Sequence, residues 1–308
     1  MERVAEPLRA MGADVMTEDG HPPLTIHGRE LRGIRFEAVV PSAQVKSAVL
    51  LAALVADGPT AVIEPVPTRD HTERALGALG APLRQTEAGV LLDGPFQQDG
   101  FRGRVPGDPS AAAFLLGAAA LTGGGLTLVG VGLNPTRLAF VEVFRRMGLE
   151  VDIEPDGQEI GEPVGTMRLA PCGTLSPVRV AAGEVPSVID EIPILAALAA
   201  HADGASRFEG AAELRVKESD RLSVLAEGLR ALGGDADAEG DDLVVGGGGL
   251  AGGSARSAGD HRMAMALTVA AMAARKPSQI DGVESAAVSF PGFFGLLASL
   301  GADIEVSA

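Results

Sequence analysis

The densest run of charge in the chain is Glu213-Leu214-Arg215-Val216-Lys217-Glu218-Ser219-Asp220-Arg221. The protein has only three lysines, Lys46, Lys217 and Lys276, so a lysine inside that run is informative. Lys217 and Arg221 could grip one anion while Glu218 handles a proton, which is acid–base chemistry beside a charge clamp. The same residues also read as an ordinary helix start. Ser219 or Asp220 would then cap, with Lys217 and Arg221 one helical turn apart on a solvated face. A second group, Gly259-Asp260-His261-Arg262-Met263-Ala264, sets a capping Asp ahead of two bases at the head of an apolar helix. Cations at that end oppose the helix dipole. A bound anion would reconcile them, since it takes both the helix N–H groups and the guanidinium, and a carboxylate neighbour would serve as well. Asp190-Glu191 opens an equivalent helix one repeat earlier, with Asp190 at the cap. Ser42-Ala43-Gln44-Val45-Lys46 is another such start, Ser42 capping and Gln44 on the first turn. Thr68-Arg69-Asp70-His71-Thr72-Glu73-Arg74 opens an amphipathic helix and reads either as a solvated face with a capping pair or as a phosphate or carboxylate site.

The elements that must position these groups repeat along the chain. A helix-like segment ending in Leu-Gly or Met-Gly, then a short strand-like stretch, occurs with its glycine at 12, 80, 148, 233 and 301. The intervals are 68, 68, 85 and 68 residues. Each glycine falls where a helix takes a left-handed C-terminal cap before turning into a strand. Between these corners lie four small-residue apolar runs that begin near Ser42, Asp108, Asp190 and Asp260. They are apolar on nearly every face, which predicts buried helices, with the amphipathic helices outside them. The chain is thus α/β, built from βαβαββ-type repeats, and the last Gly301-Ala302-Asp303-Ile304 stretch predicts one more strand. Three repeats occupy residues 106–308 as one closed domain, and residues 1–105 hold about one and a half repeats of another. By that symmetry the first domain is incomplete, by roughly 110 residues at the observed period.

Composition narrows the function. Aromatics are 3% with no Trp or Tyr, and 25 Lys+Arg stand against 41 Asp+Glu for a net charge of −16. Nucleic acid needs stacking platforms and a basic surface, so that class is disfavoured, whereas a small anion in a cleft is not. The apolar runs are well short of the ~20 residues of a membrane span. A single cysteine, Cys172, and no targeting segment point to a soluble cytoplasmic protein. Cys172 has no basic neighbour in sequence to activate it. The five histidines lack metal-ligand spacing, so no metal is expected, and His21 and His27 read as surface residues of a Pro-rich loop. Gly246–Gly253 lacks the phosphate-loop pattern and reads as a flexible connection.

Seven stretches together resemble one family. They are Ser42–Ala48, Arg69–Glu73, Gly107–Ala112, Asp190–Pro193, Leu214–Arg221, Gly259–Ala264 and Ser289–Phe293, in family order along the whole chain. The resemblance is to 5-enolpyruvylshikimate-3-phosphate synthase, also called 3-phosphoshikimate 1-carboxyvinyltransferase. It implies a two-domain inside-out α/β barrel architecture that closes over its substrates and works as a monomer with no cofactor. It also implies transfer of the enolpyruvyl group of phosphoenolpyruvate to the 5-hydroxyl of shikimate-3-phosphate, with release of phosphate, in aromatic amino-acid biosynthesis. Carried onto matching positions, Ser42, Ala43, Gln44, Arg69, Asp190 and Lys217 would contact shikimate-3-phosphate. Gln44, Lys217, Arg221 and Arg262 would hold phosphoenolpyruvate, with His261 in support. Asp190, Lys217 and Glu218 are the candidates for proton transfer. The family's motifs ahead of the position matching Met1 are missing, as is a lysine before Phe290-Pro291 that some members carry. A catalytically incompetent fragment with residual substrate binding is therefore the main alternative. The sister enolpyruvyl transferase acting on a UDP-linked N-acetylglucosamine is a lesser one, because Cys172 sits in the wrong context for its mobile-loop cysteine.

Overall fold

A computed structural model describes residues 1–307 and divides the chain into two units. The first comprises Met1–Val105 with Gln158–Pro163, the second Pro106–Gly157 with the chain from Val164 onward. The first begins with α1 (Glu2–Ala10) and an antiparallel hairpin, β1 (Asp14–Glu18) and β2 (His21–His27). A full βαβαββ repeat follows: β3 (Arg35–Glu37), α2 (Ala43–Ala53), β4 (Gly58–Ile63), α3 (His71–Ala78), β5 (Leu83–Thr86) and β6 (Gly89–Gly94). The second unit opens with α4 (Pro109–Leu121), β7 (Leu126–Gly132), α5 (Ala139–Arg146), β8 (Val151–Glu159) and β9 (Glu162–Leu169). Its middle repeat is β10 (Arg179–Val180), α6 (Val185–Val188), α7 (Ile192–Ala199), β11 (Ser206–Phe208), α8 (Arg221–Ala231), β12 (Ala236–Glu239) and β13 (Asp242–Val245). The last is β14 (Ser254–Arg256), α9 (His261–Met272), β15 (Gln279–Asp281) and α10 (Phe293–Ser299).

The complete repeats each form a four-stranded sheet of the same topology. The order is β3-β4-β6-β5 in the first unit and β10-β11-β13-β12 in the second, with the leading pair parallel and the rest antiparallel. The parallel pair flanks the buried helix, as a crossover connection requires. The remaining sheets are the smaller β7-β9-β8, β14-β15 and β1-β2. The strand predicted at Ala302–Ile304 does not form among the described residues. A lone segment with no ladder partner has nothing to satisfy its backbone groups as a strand.

The five Gly corners are one device. In each, the glycine has positive φ, from 78° to 104°. Its N–H bonds the carbonyl three residues back, and the next N–H bonds the carbonyl five residues back, as in Gly80 to Gly77 and Ala81 to Leu76. That is the Schellman closure of a helix. Three of the four apolar helices are buried as expected, and all eight residues of α7 are inaccessible. The exception is α2, where Leu51 is exposed. The first unit offers α2 only a small core of Val49, Leu50, Ala53, Val62, Leu76, Val90, Leu92 and a few neighbours, which covers one side of the helix.

The Gly246–Gly253 run is packed rather than loose. Gly248 and Gly249 donate to the carbonyls of Ala202 and Ala200, and Leu250 is fully buried. A Cβ on Gly247 would lie 2.4 Å from the Gly204 carbonyl oxygen, so close backbone approach demands glycine there. His21 and His27 are exposed as expected, though they lie in β2 and not in a loop. Among the described residues no helix is long and apolar enough to cross a membrane.

Candidate active site

In the second unit, the heads of α8 and α9 and the turn before α7 bring four of the named residues together. Asp220 is the cap of α8, its Oδ1 accepting from the Ser223 N–H at 3.1 Å, which places Arg221 first in the helix. The Arg221 side chain is 0% exposed. Its Nε donates to Asp260 Oδ2 at 2.8 Å and its Nη2 to Glu218 Oε2 at 2.5 Å. Its Nη1 lies 3.8 Å from Asp190 Oδ1 and has no hydrogen-bond partner, although it is buried. Asp260 caps α9 through the Arg262 N–H at 2.9 Å and also accepts from Ser219 Oγ at 3.1 Å. Arg262 Nη1 approaches the same Asp190 oxygen at 3.6 Å. One carboxylate thus faces two guanidiniums, and one guanidinium fans out to three carboxylates.

Arg262, one of the two bases that oppose the dipole of α9, therefore has a carboxylate partner in Asp190. Burial alone would push the Asp260 carboxyl up. The Arg221 hydrogen bond and charge, the Arg262 N–H and the Ser219 hydroxyl outweigh burial and hold it below the usual range. His261 is pushed down, first by burial and then by the Arg262 charge, so it sits beside Arg262 as a neutral ring.

Two expectations change in detail. Asp190 does not cap α7. Glu191 occupies that position, without a side-chain cap, because Asp190 is drawn to the two arginines. Lys217 and Arg221 are not a turn apart on a solvated helical face either. Lys217 precedes α8 in extended backbone, following the short 3-10 turn Ala212–Val216, while Arg221 is buried. The Lys217 Nζ instead pairs with Glu213 Oε1 at 2.9 Å. Partly exposed pairs of that kind contribute roughly 0–1 kcal/mol, so redirecting Lys217 to an incoming anion costs little.

Glu191 was visible in the sequence, but its partners were not. Its carboxyl is 2% exposed, hydrogen-bonded to Ser110 Oγ at 2.5 Å. Arg137 Nη2 reaches the same hydroxyl at 2.7 Å and Asp108 Oδ1 at 2.9 Å. Burial pushes the Glu191 carboxyl up, against the pull of Ser110 and Arg137. Cys172, by contrast, is a half-buried thiol pushed up by burial, and it donates to the Ala120 carbonyl at 3.4 Å. It has no feature of a nucleophile.

In the first unit, Ser42 caps α2 by accepting from the Val45 N–H at 3.4 Å. Ala43 is the first residue of that helix, and exposed Gln44 accepts from Arg3 Nη2 at 3.2 Å. Arg69 is half-buried, on the segment that leads into α3. Asp70 stands at the cap of α3 but turns its carboxylate to Arg74 at 2.8 Å instead of capping. Among the described residues no cluster of three His, Cys, Asp or Glu could hold a metal ion.

The chain was compared with known proteins. Residues 1–297 match the family model described as EPSP synthase (3-phosphoshikimate 1-carboxyvinyltransferase). A 3-phosphoshikimate 1-carboxyvinyltransferase of Acidithiobacillus ferrooxidans is 47% identical over 312 residues, covering 100% of this chain and 71% of that relative. The solved EPSP synthase of Acinetobacter baumannii superposes with a TM-score of 0.91 at 42% identity, covering 100% of this chain and 72% of that one. The enolpyruvyl transferase NikO of Streptomyces tendae, at 21% identity and a TM-score of 0.75, shares the fold.

Proposed function

The chain belongs to the EPSP synthase (3-phosphoshikimate 1-carboxyvinyltransferase) family, and from that premise we propose that it binds phosphoenolpyruvate and shikimate-3-phosphate and transfers the enolpyruvyl group between them. The observation that carries the reading is the Arg221 Nη1 group, buried without a hydrogen-bond acceptor, 3.8 Å from Asp190 and close to Arg262. A buried guanidinium nitrogen with no acceptor is costly, and an anionic oxygen of phosphoenolpyruvate supplies the missing partner. Arg262 flanks it, and Lys217 is released from Glu213 to complete the clamp.

The chemistry then follows from the two carboxylates spread on Arg221. The 5-hydroxyl oxygen of shikimate-3-phosphate bonds to carbon 2 of phosphoenolpyruvate while its proton leaves and carbon 3 gains one. In the second half, carbon 3 gives up a proton, the bond from carbon 2 to the phosphate oxygen breaks, and phosphate departs with a proton delivered to that oxygen. Each half moves a proton on and a proton off, which needs one group in the base form and one in the acid form. Asp190 and Glu218 take these parts, with Lys217 a third participant. Ser42, Ala43, Gln44 and Arg69 hold shikimate-3-phosphate from the first unit, and His261 supports Arg262 as a neutral neighbour. No metal or organic cofactor takes part, and the full-length family to which the chain belongs works as a monomer. The architecture that fits is the inside-out α/β barrel of this superfamily, with three βαβαββ repeats over residues 106–308 and about one and a half over 1–105.

The test is phosphate release by the 308-residue chain given both substrates. Release that Lys217→Ala and Glu218→Gln each reduce by about two orders of magnitude or more fits the loss of a positioned acid–base or charge group. No release from the unaltered chain, or release indifferent to both substitutions, overturns the assignment of activity to this chain.

A further inference from the structure

The first unit buries one cation that the proposed chemistry does not use. Lys46, in the second turn of α2, is 2% exposed. Its Nζ lies 2.8 Å from Glu64 Oε2 and 2.7 Å from Glu73 Oε1, and both carboxylates are themselves almost fully buried. A longer contact of 3.5 Å reaches the carbonyl oxygen of Thr68. The other oxygen of Glu64 accepts from the Thr68 hydroxyl at 2.5 Å. Beside this knot the hydroxyls of Ser47 and Thr72 meet at 2.6 Å. The Lys46 N–H donates to the carbonyl of Ser42 at 3.1 Å.

Lys46 therefore touches two places at once. Its backbone end closes the first turn of α2, which presents Ser42 and Gln44. Its ammonium, directly and through Glu64, holds the carbonyl and hydroxyl of Thr68, the residue bonded to Arg69. Two carboxylates around one ammonium leave an excess negative charge, and Glu73 Oε2 is buried without a hydrogen-bond partner. Apolar residues could close a core at this point without that cost. A charged knot at a functional site is instead suited to fixing two segments in one register, because its geometry is directional.

We propose that Lys46, with Glu64 and Glu73, is a positioning group for shikimate-3-phosphate: it braces the Ser42–Gln44 turn against Thr68–Arg69 so that both grip the same anion. This rests on the assignment of Ser42, Gln44 and Arg69 to that substrate. Removing Lys46 alone strands two buried carboxylates and endangers folding, so the informative variant combines Lys46→Met, Glu64→Gln and Glu73→Gln and leaves no charge behind. Calorimetric titration with shikimate-3-phosphate and, separately, phosphoenolpyruvate reads the substrate side, with Arg69→Ala as control. Amide hydrogen exchange without ligand reads the brace itself.

The triple variant is expected to bind shikimate-3-phosphate about tenfold more weakly, equivalent to about 1.4 kcal/mol, with phosphoenolpyruvate, which the turn meets only through Gln44, weakened less. Exchange is expected to quicken at residues 42–46 and 68–70 while the β4–β6 ladder keeps its protection. Unchanged shikimate-3-phosphate binding where Arg69→Ala loses it, or an equal loss of both ligands, overturns the positioning role. If Arg69→Ala leaves binding intact, or the unaltered chain binds none, the substrate assignment fails and the substrate role of Lys46 fails with it. Exchange that stays unchanged in both segments overturns the brace whatever the ligand results.

Discussion

Among the described residues, each unit fully buries one cation among carboxylates, and the two are finished differently. Lys46 in the first unit has two buried carboxylates and a carbonyl oxygen around its ammonium, and no donor of it is left over. Arg221 in the second has Asp260 and Glu218 on two of its nitrogens, while the third is buried without an acceptor. Hydrogen-bond completion is inexpensive to achieve in a folded interior, and a missing partner is the exception that needs a cause. The ammonium of Lys46 is completed from within the chain, which suits it to holding segments in place and not to gripping a ligand. Under the proposed function, the unsaturated cation is completed by a ligand. The units differ in the same direction in their cores: among the described residues 56 buried hydrophobics form one cluster in the second unit and ten in the first. The larger core can hold a guanidinium with an open valence in place, because the surrounding helices are fixed independently of it.

The largest effect expected is that of Arg221→Met. It leaves Asp260, whose side chain is wholly buried, without its counter-charge. Breaking a buried pair in this way costs about 3–5 kcal/mol, read as a lower urea midpoint for the second unit. A loss under 1 kcal/mol would mean that the guanidinium is held for the ligand alone and contributes nothing to the fold. Ligand protection sharpens the comparison next. At 100 times its dissociation constant, phosphoenolpyruvate should stabilise the unit that carries the open valence by about 2.7 kcal/mol. Hydrogen exchange should therefore slow more at the heads of α8 and α9 than along α2, where Gln44 is the one residue expected to touch that ligand. Equal protection at α2 would remove the distinction between the two cations.

The Gly corners offer a smaller contrast on identical local geometry. Gly80 and Gly233 end equivalent helices at φ of 86° and 78°. An alanine at either pays the left-handed backbone cost of roughly 1–2 kcal/mol. At Gly80 the added Cβ meets nothing within 4 Å, whereas at Gly233 it would lie 2.7 Å from the Cβ of Ala251. Overpacking adds about 1–3 kcal/mol where the core cannot yield. Gly233→Ala should thus be the more destabilising of the two by thermal unfolding, and equal losses would show that the second unit relaxes as readily as the first.

What the sequence showed of this and what it concealed divide along the range of the interaction. The corners at 12, 80, 148, 233 and 301 were legible because a helix stop is written within six residues. Ser42, Asp108, Asp220 and Asp260 were legible as caps for the same reason. Leading strands such as β10, at two residues, and β14, at three, are too short for an alternating pattern to register, and only the repeat implies them. The partners of Arg221 were hidden, since Asp260 is 39 positions away in the next repeat and Asp190 lies across a helix and a strand of the same one. The Lys46 knot was hidden likewise, although a lone lysine in an apolar helix, in a chain with three, was a signal of it. Asp190 and Glu191 were separable only in three dimensions. Either could cap, and what decides is that one carboxylate meets arginines and its neighbour meets a serine.

That neighbour supplies the last and smallest contrast, this time in pH. Glu191 is raised by burial, so its folded value lies above its ordinary one of 4.5. Below pH 4.5 it is protonated whether folded or not, and it contributes no pH dependence. As pH rises from there through the raised folded value, the unfolded chain releases the proton first and stability falls. Asp260, one repeat later, is lowered, so its contribution is full above the ordinary Asp value of 3.8 and is lost only as pH falls through the lower folded value. The two carboxylates of the second unit thus pull in opposite senses in separate windows. Glu191→Gln keeps a hydrogen bond to Ser110 and removes the ionisation. The substituted chain should match the parent near pH 4 and lose less stability than it between pH 4.5 and 7. If instead the parent and Glu191→Gln follow parallel stability curves across that range, Glu191 is ionised in the folded chain, paired electrostatically with Arg137, and the second unit carries its buried charge at no cost visible in pH.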